Sequence, residues 1–261
     1  MLIDSHCHLN YASLGEDVPG VLARARAAGV GGFLAISCRA NEWDGVIALA
    51  DTHPGVWATV GIHPHEADEH PDTDAATLTA AAAHPRVIGI GETGLDYYYD
   101  KSDRGRQQAS FRSHITAARI AGLPLIVHTR DAEADTLALL KEPGEGRLNG
   151  VIHCFTASQA FADEALALGF YISLSGIVTF KNARDLQDTA RTIPADRLLV
   201  ETDSPYLAPV PMRGKTCEPG FVAHTARFLA GLRGVDEAEL ARTTTANFFN
   251  LFSKAQLPQA S

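Results

Sequence analysis

Several features that would place this chain in a common class are missing. It has only four cysteines, Cys7, Cys38, Cys154 and Cys217, with no CxxC pair. So few, so widely spaced, exclude a disulfide framework and suggest a reducing compartment. No apolar run approaches the ~20 residues needed to span a bilayer. The opening MLIDSHCHLN has neither the basic segment nor the apolar segment of a signal peptide. A soluble, cytoplasmic protein without a membrane partner is expected, and no segment calls for an obligate protein partner. Positive charge is also scarce, with 22 basic against 31 acidic residues and a net charge of −9. That argues against a broad basic footprint on duplex nucleic acid. It leaves room for a phosphate substrate held by metal ions, whose charge the count omits. No GxGxxG follows the first apolar run, which weighs against a dinucleotide-binding fold.

What is present is a regular alternation. Short apolar runs at 2–4, 32–36, 56–61, 87–91, 125–128, 150–153, 170–174 and 197–201 read as strands. Helix-like segments at 18–28, 41–52, 74–83, 104–121, 131–141, 158–168, 182–191 and 220–231 separate them. Nearly continuous apolar strands are expected where helices cover a parallel sheet. Asp131 and Ser158 read as helix N-caps, and Gly29, Gly122 and Gly169 as helix stops. Eight βα units without a composition break predict one domain over 1–261, an α/β (β/α)8 TIM barrel. The segment 236–252 reads as an extra helix pair closing the barrel, and the final QLPQAS as frayed.

Of the 11 histidines, six fall at the ends of predicted strands. His6 and His8 follow the first strand, His63 and His65 the third; His128 ends the fifth and His153 the sixth. Glu92 ends the fourth strand and Asp203 the eighth. In a barrel all these ends lie on one face, where active sites form. The i, i+2 spacing of His6 and His8 turns both imidazoles inward, and paired imidazoles suit a borderline divalent ion. HxH alone is a weak signal. With Glu, His, His and Asp at four further strand ends, the pattern predicts two divalent ions, Zn, Mg or Mn. His6, His8 and Asp203 would hold one and His128 and His153 the other, with Glu92 bridging them. Paired ions clamp the attacking and leaving oxygens of a phosphoryl displacement, and Glu92 and Asp203 are the expected catalytic carboxylates, Asp203 as proton acceptor.

The stretches DSHCHL, GIHPH, IGETGLDYY, LPLIVHTRDA, HCFT, ETDSPYLAP, RGKTCEP and TTANFFNLF span the chain. Together they resemble the TatD family of metal-dependent deoxyribonucleases, among the amidohydrolase-like barrels. The resemblance implies the same six ligands and hydrolysis of phosphodiester bonds at DNA ends. It also implies that Arg213 and Lys215 lie near the substrate, in the loop after the last strand. Two positions depart from the family pattern, Cys217 where Asn is usual and Met212 where His is frequent. Both bear on the substrate rather than on the metal.

Other residues have competing readings. His63 is expected to contact substrate, and His65 to do so, to belong to the loop, or to support a ligand. Arg130 binds phosphate or pairs with Asp131 or Glu133. Tyr97, Tyr98 and Tyr99 stack a base or plug a loop. Cys7 and Cys154 are expected to turn away from the ligand face into packing. His53, His70, His84, His114 and His224 lie away from the strand ends. Two further functions compete with DNA hydrolysis: cleavage of another ester or amide, such as an aminoacyl-tRNA ester or a cyclic amide, and metal or nucleotide binding without catalysis.

Overall fold

The computed structural model describes residues 1–256; most of the terminal QLPQAS falls outside them. The strands are β1 (Leu2–Cys7), β2 (Val30–Ala35), β3 (Val56–Val60), β4 (Val87–Asp96), β5 (Leu125–Arg130), β6 (Gly150–Ile152), β7 (Tyr171–Leu174) and β8 (Leu198–Val200). They pair in chain order, each parallel to the next. Closure comes from β1 against the end of β8: Asp203 N–H donates to His6 C=O (3.0 Å), and His8 N–H to Ser204 C=O (2.8 Å). Ten helices lie among the described residues: α1 (Ala12–Gly15), α2 (Val18–Ala27), α3 (Trp43–Thr52), α4 (Ala75–Ala82), α5 (Arg104–Ala121), α6 (Glu133–Leu140), α7 (Gln159–Ala167), α8 (Arg184–Thr192), α9 (Val222–Arg233) and α10 (Glu237–Leu251). This is the expected (β/α)8 barrel.

Two apolar layers hold it together. The larger lies between the barrel and its helices. The smaller fills the barrel's lower end, where Ile3, Leu34, Trp57, Ile88, Ile126 and Leu199 meet Phe248, Leu251 and Phe252. The segment 236–252 is therefore one helix and not a pair. Its aromatic face plugs the end of the barrel opposite the candidate site.

Three other local readings change. Ser158 does cap α7, accepting from Phe161 N–H, but Asp131 adopts φ +52° and α6 begins after Ala132. Strand β4 runs to Asp96, five residues past its predicted end, and β5 runs to Arg130. Gly94 permits this pairing: its φ is +137°, and a Cβ there would lie 2.0 Å from His128 C=O. In β1 the register shifts between Asp4 and Cys7. Ser5 meets Ser173 inside the barrel, yet His6 also turns inward, its ring stacked on His153 at 3.9 Å. The bulge resets the alternation, so that His6 and His8 face the site and Cys7 joins the outer core.

Candidate metal centre

The upper end of the barrel opens into a cleft of about 810 Å³, within the usual range for small-molecule sites. Glu92 lies at its floor, buried, with its two oxygens facing different partners. Oε2 is 3.3 Å from His6 Nε2 and 3.9 Å from His8 Nε2. Oε1 is 2.8 Å from His153 Nε2, 3.1 Å from His128 Nδ1 and 3.2 Å from His63 Nε2. Asp203 completes the first group, with Oδ1 3.3 Å from His8 Nε2 and 3.7 Å from His6 Nε2. In the second group His153 Nε2 and His128 Nδ1 are 3.4 Å apart.

These spacings fit metal ligation. Donors bonded at about 2.1 Å to one divalent ion sit about 3.0–3.4 Å from each other, and most of the distances above are of this size. His6 gives a further sign: it is fully buried, yet neither ring nitrogen has a hydrogen-bond partner. A buried imidazole without a partner is costly unless a cation takes its lone pair. Burial works against ionised Glu92, but the imidazoles of His153, His63 and His6 and the hydrogen bond with His128 outweigh it and hold its pKa well below the usual range. Asp203 is also lowered; burial opposes this, and His8 and His6 prevail. Both carboxylates are therefore ionised and ready to act as ligands.

A second ring of groups orients the imidazoles. His128 Nε2 lies 3.0 Å from Asp96 Oδ2, and His65 Nε2 lies 2.9 Å from the same oxygen. His153 Nδ1 lies 3.3 Å from Glu201 Oε1, which also accepts from Cys154 N–H at 2.8 Å. A carboxylate only accepts, so these outer nitrogens donate to it; with a cation at the centre, His128 Nδ1 and His153 Nε2 would offer their lone pairs inward.

The five other expected ligand residues thus gather around Glu92, and His63 lies beside them. Burial, only partly offset by Glu92, lowers the His63 pKa to about 4; its neutral ring accepts from His65 N–H through Nδ1 (3.1 Å) and donates from Nε2 to Glu92 Oε1, which suits it to steady Glu92 or meet substrate and not to ligate. Asp96, Glu201 and Cys38 are residues that sequence reasoning missed. Cys38, just past β2, has Sγ 3.8 Å from His8 Nδ1 and 3.9 Å from Glu92 Oε2. The two cysteines weighed beforehand differ. Cys7 packs outward and donates to Leu34 C=O. Cys154 departs from expectation: it lies beyond the end of β6, where alternation no longer applies, and lines the cleft.

The basic residues also separate. Arg130 lines the cleft and makes no ion pair with Asp131 or Glu133; its guanidinium lies over Tyr98 (4.1 Å) and Tyr99 (5.0 Å). Arg213 is exposed and stacks on Phe180 at 3.9 Å, and Lys215 is exposed; neither lines the cleft. Cys217 is wholly buried, so its thiol packs beneath that loop. Tyr97 plugs its loop, donating to Asp135 Oδ2 (2.7 Å), while Tyr98 and Tyr99 are exposed.

A parallel eightfold barrel with imidazole and carboxylate donors gathered at its upper end is a metal-dependent hydrolase of the TIM-barrel type. The chain belongs to the TatD related DNase family, whose model matches residues 3–253. It is 49% identical over 254 residues to the uncharacterized metal-dependent hydrolase YcfH of Escherichia coli, covering 96% of this chain and 95% of that protein. It is 36% identical to a 3'-5' ssDNA/RNA exonuclease TatD of Cronobacter sakazakii, covering 98% of this chain and 100% of that protein. Among solved structures, the TatD homolog YJJV of Escherichia coli superposes with a TM-score of 0.91 at 30% identity, covering 97% of this chain and 98% of that one. No helix among the described residues is long and apolar enough to cross a membrane.

Proposed function

We propose that the protein hydrolyses phosphodiester bonds at the ends of single-stranded DNA or RNA, using two divalent ions. The carrying observation is the division of Glu92, with Oε2 toward His6 and Oε1 toward His153 and His128. His6, His8 and Asp203 would hold one ion, and His128 and His153 the other; Glu92 would serve both. Bound ions would supply charge stabilisation of the phosphoryl group and acidify water at the site.

The protein residues do the rest. Asp203, ionised beside His8, takes the proton of the attacking water. The water oxygen bonds to phosphorus as the bond from phosphorus to the departing sugar oxygen breaks, and that oxygen takes its proton from solvent. Burial of Glu92, His6 and His153 at the floor of the cleft strengthens each charge interaction there. Two observations support the end of a single strand as substrate: the exonuclease name carried by the Cronobacter protein, and this chain's net charge of −9, which argues against a broad basic footprint on duplex nucleic acid.

The test is metal analysis of protein purified without chelator, followed by assay on end-labelled single-stranded DNA and RNA with Zn²⁺, Mg²⁺ or Mn²⁺. About two ions per chain and stepwise shortening of the strand are expected. Metal-loaded protein that leaves both nucleic acids intact but cleaves carboxyl esters or cyclic amides would overturn the nuclease reading.

A further inference from the structure

Three cations line the cleft: Arg39, Lys101 and Arg130. Arg39 is committed, with Nη1 3.0 Å from Glu42 and Nη2 bound to Glu66. Lys101 and Arg130 form no ion pair among the described residues; their neighbours are aromatic. Arg130 lies over Tyr98 and Tyr99, and Lys101 Nζ lies 5.7 Å from the Tyr99 ring centre. Tyr98 and Tyr99 pack edge to face at 4.9 Å, and Tyr99 rests against His65 at 5.4 Å. His65 is in turn tied to Asp96. Asp131 and Glu133 also line the cleft but pair with neither cation, Glu133 accepting from Ser158 N–H and Oγ–H.

An aromatic cradle holds a guanidinium in place without neutralising it. Its donors therefore stay free for an anion, and Arg is the side chain best shaped to grip phosphate. Position says which phosphate. Arg130 follows His128 by two residues on β5, so both project from the same side of the strand. At about 3.3 Å per residue, Arg130 stands about 7 Å further up the cleft than His128. That is on the order of one nucleotide step along an extended strand.

We infer that Arg130 and Lys101, held by Tyr98 and Tyr99, form a clamp for the phosphate one nucleotide away from the one being cleaved. The clamp makes the protein prefer strands with at least two phosphates over single phosphodiesters. This rests on the phosphodiesterase reading above but makes a separate demand of the substrate. It also explains how a chain of net charge −9 holds a polyanion: its free cations in the cleft sit where the strand leaves the centre.

The experiment compares a short single-stranded oligonucleotide with bis(p-nitrophenyl) phosphate, which carries one phosphate, using metal-loaded wild type, Arg130→Ala, Lys101→Ala and the double variant. The ratio of the two kcat/KM values should fall at least tenfold in each single variant. The salt dependence of oligonucleotide KM should lose about 0.7 of logarithmic slope for each cation removed. An unchanged ratio overturns the clamp, as does an equal loss on both substrates. Fluorescence anisotropy of the same labelled oligonucleotide separates the two readings. If the wild type hydrolyses only the single phosphodiester, the nuclease reading fails. Salt-sensitive binding that disappears in the double variant would still support the clamp, and absent or unaltered binding would overturn it.

Discussion

Asp96 Oδ2 lies 3.0 Å from Nε2 of His128, on the side of the ring away from Glu92. This contact decides which nitrogen of His128 faces the centre. The carboxylate accepts the Nε2 proton, which leaves Nδ1 facing Glu92 and able to offer its lone pair when a cation is bound. Asp96 is itself fixed: its Oδ1 accepts from Tyr98 and Tyr99 N–H at 3.0 and 2.9 Å, and Gln107 Oε1 accepts from its N–H at 2.8 Å. Asp96→Asn should keep these turn bonds but disturb the hydrogen-bond pattern that His128 and His65 share. Metal affinity is expected to fall 10–100-fold with the fold intact, read by chelator competition and circular dichroism. Unaltered affinity would show that Asp96 serves only the turn.

Glu92 is the single side chain shared by both donor groups. Glu92→Gln keeps its size and removes its charge, leaving the imidazoles of His6 and His153 without their common anion. Bound metal should drop from about two ions per chain to fewer than one, and turnover should be lost. Full metal content in the variant would show that the two groups bind independently of Glu92.

How far the site could be read from sequence depended on where strand alternation holds. His6 and His8 were legible because HxH at a strand end is a short local pattern, although the bulge between Asp4 and Cys7 is what turns them inward. Glu201 and Asp203 have the same i, i+2 spacing, yet only Asp203 stood out. Glu201 acts through a bond to His153, 48 residues away, and no local pattern shows that. Asp96 was hidden because the glycines of IGETGLD read as the end of a strand. In the structure those glycines allow β4 to continue beside β5. Cys38 reaches the site only because β2 pairs with β1, which brings its end beside His8. The fold was more legible, because eight apolar runs with helical spacers leave few ways to bury both faces of the strands.

Glu201 should be a positioning residue for His153. It is fully buried, and its second oxygen has no partner. Glu201→Gln can still accept from Cys154 N–H, but it loses the charge that favours the proton on His153 Nδ1. The expected result is weaker binding of one ion and retention of the other. Two-step chelator titration would show this as a shift of one step. If both steps stay in place, His153 is oriented by packing against His6 alone.

His114 offers a prediction independent of the metal. Its ring is buried beneath β3, where Nε2 accepts from Ile62 N–H (2.9 Å) and Nδ1 donates to Ser110 C=O (2.7 Å). Both bonds use the neutral ring, and burial, only partly offset by the Ser110 carbonyl, lowers its pKa from 6.5 to about 4. Below pH 6.5 the unfolded chain binds a proton here that the folded chain refuses. Stability therefore falls as pH drops from 6.5 toward 4 and is fully present above that window. The gap between the two values, at about 1.4 kcal/mol per pH unit, caps the loss at roughly 3.5 kcal/mol. Denaturant unfolding at pH 7 and pH 5 would measure it against His114→Gln, which can accept from Ile62 but cannot titrate. Any acid release of metal is common to both proteins, so the difference between their pH slopes isolates His114. The variant should be less stable at pH 7 and lose less on acidification, and parallel slopes would mean that the ring is protonated in the folded protein.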